Sequence, residues 1–233
     1  MANQEHVLAV TQGPEVFARW RSENPGGRLE LKEADLPAID LRGAKVRNAD
    51  LRGANLAGAV LSRTSLAQAD LSGANLTGAN MGSCVLAAAN CSNADFTNVN
   101  LYWADLKQAN LHGACLRWSR TVRALFMDAD LSSADVSSAT MIETDLRNAN
   151  LSKANFQASN MNGADLSRTL LDGADFTKAM IRDSMFVAAD MRGADFKEAS
   201  LHRSDLNLAK FDETTRFPRG FDPYNTGYKD VGD

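Results

Sequence analysis

Large apolar side chains recur at every fifth position along most of this chain. Leu36, Leu41, Val46, Leu51, Leu56, Leu61, Leu66, Leu71 and Leu76 hold the phase, and Met81, Leu86, Cys91, Phe96, Leu101 and Leu106 continue it. It runs on through Leu146, Leu151, Phe156, Met161 and Leu166 to Phe211. A small residue stands two places before each, as at Ala44, Ala49, Ala54, Ala59, Ala69 and Ala74, so the unit reads A(D/N)LXX. About 37 such units follow one another from Leu31 to Phe211 without insertion or deletion.

A period of five suits neither a helix, which wants 3.6, nor a half-buried strand, which wants 2. A helix would rotate every fifth residue by about 140° and smear the leucines around its cylinder. A coil that turns one corner per unit does better. Its large apolar residue points to the axis, the small residue before it also turns inward, and the other three face water. Successive coils then stack about 4.8 Å apart through backbone hydrogen bonds.

Segments such as ADLRGANLAGA and ADLSGANLTGAN resemble the pentapeptide repeat family, and that register covers about four-fifths of the chain. The resemblance implies an all-β solenoid, a right-handed quadrilateral β-helix with four units, or about 20 residues, per coil. About nine coils would make a rod roughly 40–45 Å long. The spacing alone supplies the five; the resemblance supplies the four.

Both open ends of such a stack need covering, because unpaired backbone edges invite aggregation. Residues 1–28 are expected to form an N-terminal extension with a capping helix. GPEVFARWRSENPGG places Pro14 in a first turn, Val16, Phe17 and Trp20 on one face, and Pro25, Gly26 and Gly27 at the stop. The repeat domain is expected over 29–213 and an irregular C-terminal cap over 214–233. Phe217, Phe221 and Tyr224 would lie over the last coil, fixed by Pro218 and Pro223, with disorder expected beyond Tyr228.

Composition narrows the function classes. The 233 residues are 44% hydrophobic but only 7% aromatic, so stacked Leu and Ala must build the core. A net charge of −4 argues against general nucleic-acid binding, which needs clustered cations. No apolar run would span a bilayer, and the N-terminus lacks the basic and continuous apolar segments of a secretory signal. A cytoplasmic protein with no direct nucleic-acid or membrane partner is expected. Cys84, Cys91 and Cys115 suit a reducing compartment, the first two as inward-facing small hydrophobes and Cys115 as the one candidate for exposed thiol chemistry.

Candidate chemistry is sparse. His6, His112 and His202 are far apart, and the glycines of RGAN, SGAN and HGAC belong to repeat turns. No catalytic, cofactor-binding or metal residues are predicted, and the chain is expected not to be an enzyme. A 20-residue coil stacks Asp50 under Asp70, Asp145 under Asp165 and Asp175 under Asp195 as a candidate acidic wall. A flat wall offers too few converging oxygens for calcium, so these read as solvated carboxylates.

The main expectation is a protein-interaction scaffold of unidentified partner, monomeric or dimerised end to end. The resemblance adds an alternative. Some family members resemble B-form DNA in width and charge, bind DNA gyrase or topoisomerase IV, and protect it from fluoroquinolones or toxins. Here Arg42, Arg47, Arg52, Lys107, Arg147 and Arg192 are interspersed among the acids and should flatten the potential.

The stretch ANLHGACLRWSRTVRALFMDADL, residues 109–131, departs most from the rhythm. Leu111, Leu116, Phe126 and Leu131 keep the phase, and only Ser119 and Thr121 break it. Steps of 20 stack Tyr102 and Trp103 under Val122 and Arg123, and these under Ile142 and Glu143, with Trp118 and Arg120 beside them. Arg123 over Trp103 is expected to make a cation–π contact worth about 0.5–1 kcal/mol. Two readings stand: a binding patch, since Trp, Tyr and Arg anchor interfaces, or a local repair covering a core weakened by Thr121.

Overall fold

A computed structural model of the chain describes residues 2–224. Each five-residue unit turns its corner locally. The carbonyl of the central residue accepts from the N–H three places on, as Leu31 does from Ala34 at 3.0 Å and Leu56 from Ala59 at 3.0 Å. The second turn residue is left-handed, as in a type II turn, at every fifth position from Glu33 to Leu208. Asn and Gly tolerate that conformation; other residues lose about 1–2 kcal/mol in it.

Each side of the coil contributes a single bridging residue, paired in parallel with the residue 20 further on. Glu30 pairs with Asp50, Asp35 with Asn55, Asp40 with Val60 and Lys45 with Ser65, and the pattern repeats up the stack. These four ladders define four walls, numbered here from Glu30, Asp35, Asp40 and Lys45. The result is a right-handed quadrilateral β-helix. With one paired residue per side, no extended strand forms among the described residues.

The Asp/Asn preference before each central residue has a hydrogen-bonding cause. The first turn residue has no backbone acceptor for its N–H, and the side chain two places earlier takes it. Asp40 Oδ1 accepts from Arg42 N at 3.1 Å, Asn75 from Thr77 at 3.1 Å and Asp95 from Thr97 at 2.8 Å. These positions are therefore structural as well as solvated. Inside, the central residues from Leu56 to Phe196 that are apolar are almost wholly buried. Phe156, Phe176 and Phe196 stack face to face at 4.8 Å per step.

Two helices cover the lower end. α1 (Gln4–Thr11) is capped by Asn3, whose side chain accepts from Glu5 N; the repeat pattern carries no sign of it. α1 closes the open edge: Asn3 N donates to Glu30 O at 3.0 Å, and Glu30 N donates to His6 Nδ1 at 2.9 Å. α2 (Pro14–Glu23) begins at Pro14 as expected. Phe17 is buried and Trp20 packs on the core, but Val16 is exposed, because the inward stripe runs through positions 17, 20 and 21.

At the upper end Asp195 pairs with Arg216, one residue beyond the 20-residue step. Phe217 extends the phenylalanine stack, 6.0 Å above Phe196, and Phe221 stacks on Phe217. Tyr224 meets Phe211 edge-on. The expected disorder beyond Tyr228 lies outside the described residues.

Candidate interaction surface

The walls differ in the charge on their ladders. The first carries Asp50, Asp70, Asp130 and Asp190; the second Asp95, Asp135, Asp175 and Asp195; the fourth Asp105, Asp145, Asp165 and Asp205. From Val60 to Ser200 the third wall has no carboxylate in its ladder, which reads Val60, Asn80, Asn100, Arg120, Thr140, Asn160, Met180 and Ser200.

The expected acidic pairs do stack, but they do not form one acidic wall. Asp50/Asp70, Asp175/Asp195 and Asp145/Asp165 fall on the first, second and fourth walls. Most are tied to cations. Arg52 binds Asp50 at 2.6 Å and lies 3.8 Å from Asp70. Arg147 bridges Asp145 and Asp165 in the same way, at 2.6 and 3.6 Å. Asp195 faces Arg216 at 3.3 Å and Lys197 at 3.9 Å, while Asp175 accepts from Gln157 and Thr177. The Arg52 guanidinium holds the Asp50 carboxyl below the usual carboxylate range. At Asp145 burial pushes the other way, and the Arg147 hydrogen bonds outweigh it. Among the described residues no group of three or more His, Cys, Asp or Glu is placed to hold a metal ion.

Around the third wall the 102–143 residues are assembled as follows. Tyr102, Trp103, Val122, Arg123, Ile142 and Glu143 share the corner between the third and fourth walls, over three coils. Trp118 is on the corner between the second and third walls, and Arg120 stands between the two corners in the third-wall ladder. Tyr102, Trp103 and Trp118 are 43%, 54% and 56% exposed. Trp103, Trp118 and Arg123 all occupy the left-handed turn position, each at φ 57°.

The expected Arg123–Trp103 stack is not formed. Arg123 Nε donates to Glu143 Oε2 at 2.6 Å, a charge-assisted bond that outcompetes an exposed ring face. Trp103 instead stacks on Tyr102, with centroids 5.7 Å apart. The cation–π contact of this region is Arg117 over Trp118, at 5.4 Å, which the 20-residue stacking rule could not find because the two are sequence neighbours. Arg120 is exposed, and its side chain has no hydrogen-bond or ion-pair partner among the described residues.

Beneath this surface the inward positions turn polar. Ser119 and Thr121 are fully buried; Thr144 Oγ1 donates to Thr121 O at 2.9 Å, whereas Ser119 Oγ has no partner. The core nevertheless closes equally well with or without aromatic corners. Leu101 and Leu116, followed by Trp103 and Trp118, are fully buried, and so are Leu76 and Leu86, followed by Gly78 and Ala88. The aromatic side chains are therefore not needed as lids.

Cys84 and Cys91 are buried and unpaired, and burial pushes both thiols up, Cys91 to about 12. Cys115 is half-buried on the second wall, 3.2 Å from Thr97 Oγ1. No helix among the described residues is long and apolar enough to cross a membrane.

The model of pentapeptide repeats matches the chain in 8 copies, over residues 30–82 and 84–212. Comparison with curated proteins finds no sequence match. Several solved structures are similar. HetL from the cyanobacterium Nostoc, a pentapeptide repeat protein involved in heterocyst differentiation regulation, is 28% identical over 82% of this chain and 92% of its own, with a TM-score of 0.44. A trypsin-treated variant of QnrB1, a plasmid-mediated fluoroquinolone resistance protein, is 21% identical over 77% and 92%, with a TM-score of 0.45. Rfr23 from the cyanobacterium Cyanothece is 26% identical over 48% and 63%, with a TM-score of 0.25.

Proposed function

The chain belongs to the pentapeptide repeat family, and we propose that it is a non-enzymatic, monomeric scaffold that binds a protein partner through its third wall. One observation carries this reading: Tyr102, Trp103 and Trp118 are exposed at corners whose core closes without them. The unpartnered Arg120 side chain, on a ladder without carboxylates from Val60 to Ser200, calls for a partner that brings carboxylates to it and apolar groups to the flanking indoles. The same reading places the protein in the cytoplasm, where its free cysteines stay reduced.

The test is a comparative pull-down with wild type, a Trp103→Asn/Trp118→Asn/Arg120→Glu variant and a Leu170→Ser control on the first wall. Partners kept by the control and lost by the triple variant support the proposal; identical recovery from all three removes it. The second reading, a DNA-like binder of gyrase or topoisomerase IV, draws on the Asp ladders of the other walls. Their pairing with Arg52, Arg147 and Arg192 weighs against it. Protection of gyrase supercoiling from a fluoroquinolone, undiminished in the triple variant, would favour that reading over the third wall.

A further inference from the structure

A cavity of about 770 Å³ opens between α2 and the first coil, at the opposite end of the molecule's logic from the aromatic wall: it is concave, and it is basic. Arg21, Arg28, Arg42, Lys45 and Arg47 line it, and no Asp or Glu does. Its volume falls within the range of small-molecule sites.

Not all five cations are available. Arg42 is held by Asp40 through its Nε and Nη2. Arg28 donates Nε to Asn48 O at 3.1 Å and reaches Asp50 only at 3.9 Å, where Arg52 already sits. Lys45 and Arg47 are exposed, with no hydrogen-bond or ion-pair partner among the described residues. Arg21 has no carboxylate partner either. Its Nη1 donates to the carbonyls of Asn24 and Gly27, its Nε and Nη2 are buried without an acceptor, and its guanidinium lies 5.6 and 5.1 Å from the Phe17 and Trp20 rings. Burial disfavours that charge, and nothing anionic among the described residues compensates it. An apolar side of the lining is formed by Pro14, Phe17, Ala18, Pro25 and Ala44.

We propose that this cavity binds a phosphorylated small molecule, with the phosphate oxygens taken by Lys45 and Arg47 and the organic body laid against Ala18, Pro25 and Phe17. A single carboxylate would leave most of the positive charge unanswered; a phosphate or diphosphate answers it and accepts several bonds at once. Bound there, the ligand would tie the capping helix to the first coil. The site is separate from the third-wall aromatic patch, so either proposal can fail without the other.

Isothermal titration at constant ionic strength, with inorganic phosphate, pyrophosphate and ADP as probes, tests this on the full chain. ADP is expected to bind more tightly than pyrophosphate, and pyrophosphate more tightly than phosphate. A Lys45→Glu/Arg47→Glu variant should weaken ADP binding by about tenfold or more, the loss expected for a charge-assisted bond. An Arg168→Glu/Lys178→Glu variant, remote from the cavity and matched in charge, should bind as wild type does. Ala18→Trp, which fills the apolar side, should weaken ADP more than pyrophosphate. Circular dichroism and melting on all variants establish that the fold is kept. Absence of heat with all three probes overturns the proposal, as does an equal loss in the remote variant, which would mean diffuse charge attraction only. ADP binding no tighter than pyrophosphate overturns the apolar half of the assignment.

Discussion

Replacing Trp103 and Trp118 by Asn separates a binding surface from a structural patch. About half of each indole is buried, or about 100 Å² per residue. At about 25 cal/mol per Å² that is about 2.5 kcal/mol, an upper bound that shrinks by up to a third or so once the unfolded chain's own shielding is counted. The ring contacts, Tyr102 on Trp103 and Arg117 on Trp118, add about 0.5–1 kcal/mol each. Against this, Asn buries some area of its own, and it suits the left-handed turn that it already occupies at Asn48, Asn93, Asn98 and Asn148. That relief is about 1 kcal/mol. These terms leave a cost of about 1–2 kcal/mol per substitution. If the indoles instead repaired a weak core, their loss should resemble truncation of a core aromatic, about 3–5 kcal/mol. Urea denaturation followed by circular dichroism reads the difference, and the same variants should fail to retain a third-wall partner. A loss above about 2 kcal/mol per substitution refutes the reasoning, because it would make the aromatic corners part of the structure.

Other expectations follow from single contacts. Ser119→Ala removes a buried hydroxyl without a partner and should stabilise by about 1–2 kcal/mol; Ser159→Ala, whose hydroxyl donates to Phe156 O at 2.7 Å, should not, and equal effects would contradict the assignment. Phe176→Ala, stacked on both sides at 4.8 Å, should cost about 3–5 kcal/mol; hydrogen exchange should rise first in the coils of Phe156 to Phe196, and uniform loss of protection down to Leu41 would be inconsistent with nearest-neighbour stacking. Gly193→Ala should cost clearly more than Gly58→Ala in melting experiments, since both have positive φ but only at Gly193 would a Cβ meet backbone closely, Gly173 N at 3.2 Å. Because Asp50 and Asp190 have carboxyls depressed by Arg52 and Arg192, their contribution is complete above the unfolded value of about 3.9 and is lost as pH falls through the lower folded values. Stability should thus be flat from pH 7 to about 5 and fall below about 4; an Asp50→Asn/Asp190→Asn variant should show a shallower acid limb, and an unchanged limb would count against these pairs.

The sequence by itself determined the coil and its inside. The period of five is local: each unit closes its own turn, so Leu, Phe or Met at one position and Ala two places earlier must point inward, whatever the rest of the chain does. α2 was equally legible from Pro14 and its terminating glycines. α1 was not, since Gln4–Thr11 is held by what it covers, the Glu30 edge reached by Asn3 and His6. The Asp/Asn position looked like solvated surface because nothing in a linear pattern shows that the turn's first N–H lacks a backbone acceptor. Only the stacked structure decided which charges meet. Adding 20 placed Arg123 correctly in its column above Trp103 but not its choice of Glu143, which depends on the competition between a carboxylate and a ring at one distance. In the same way the acidic pairs emerged on the first, second and fourth walls, and the third emerged without carboxylates from Val60 to Ser200. A wall is made of residues 20 apart, and its character exists only once the coils are closed.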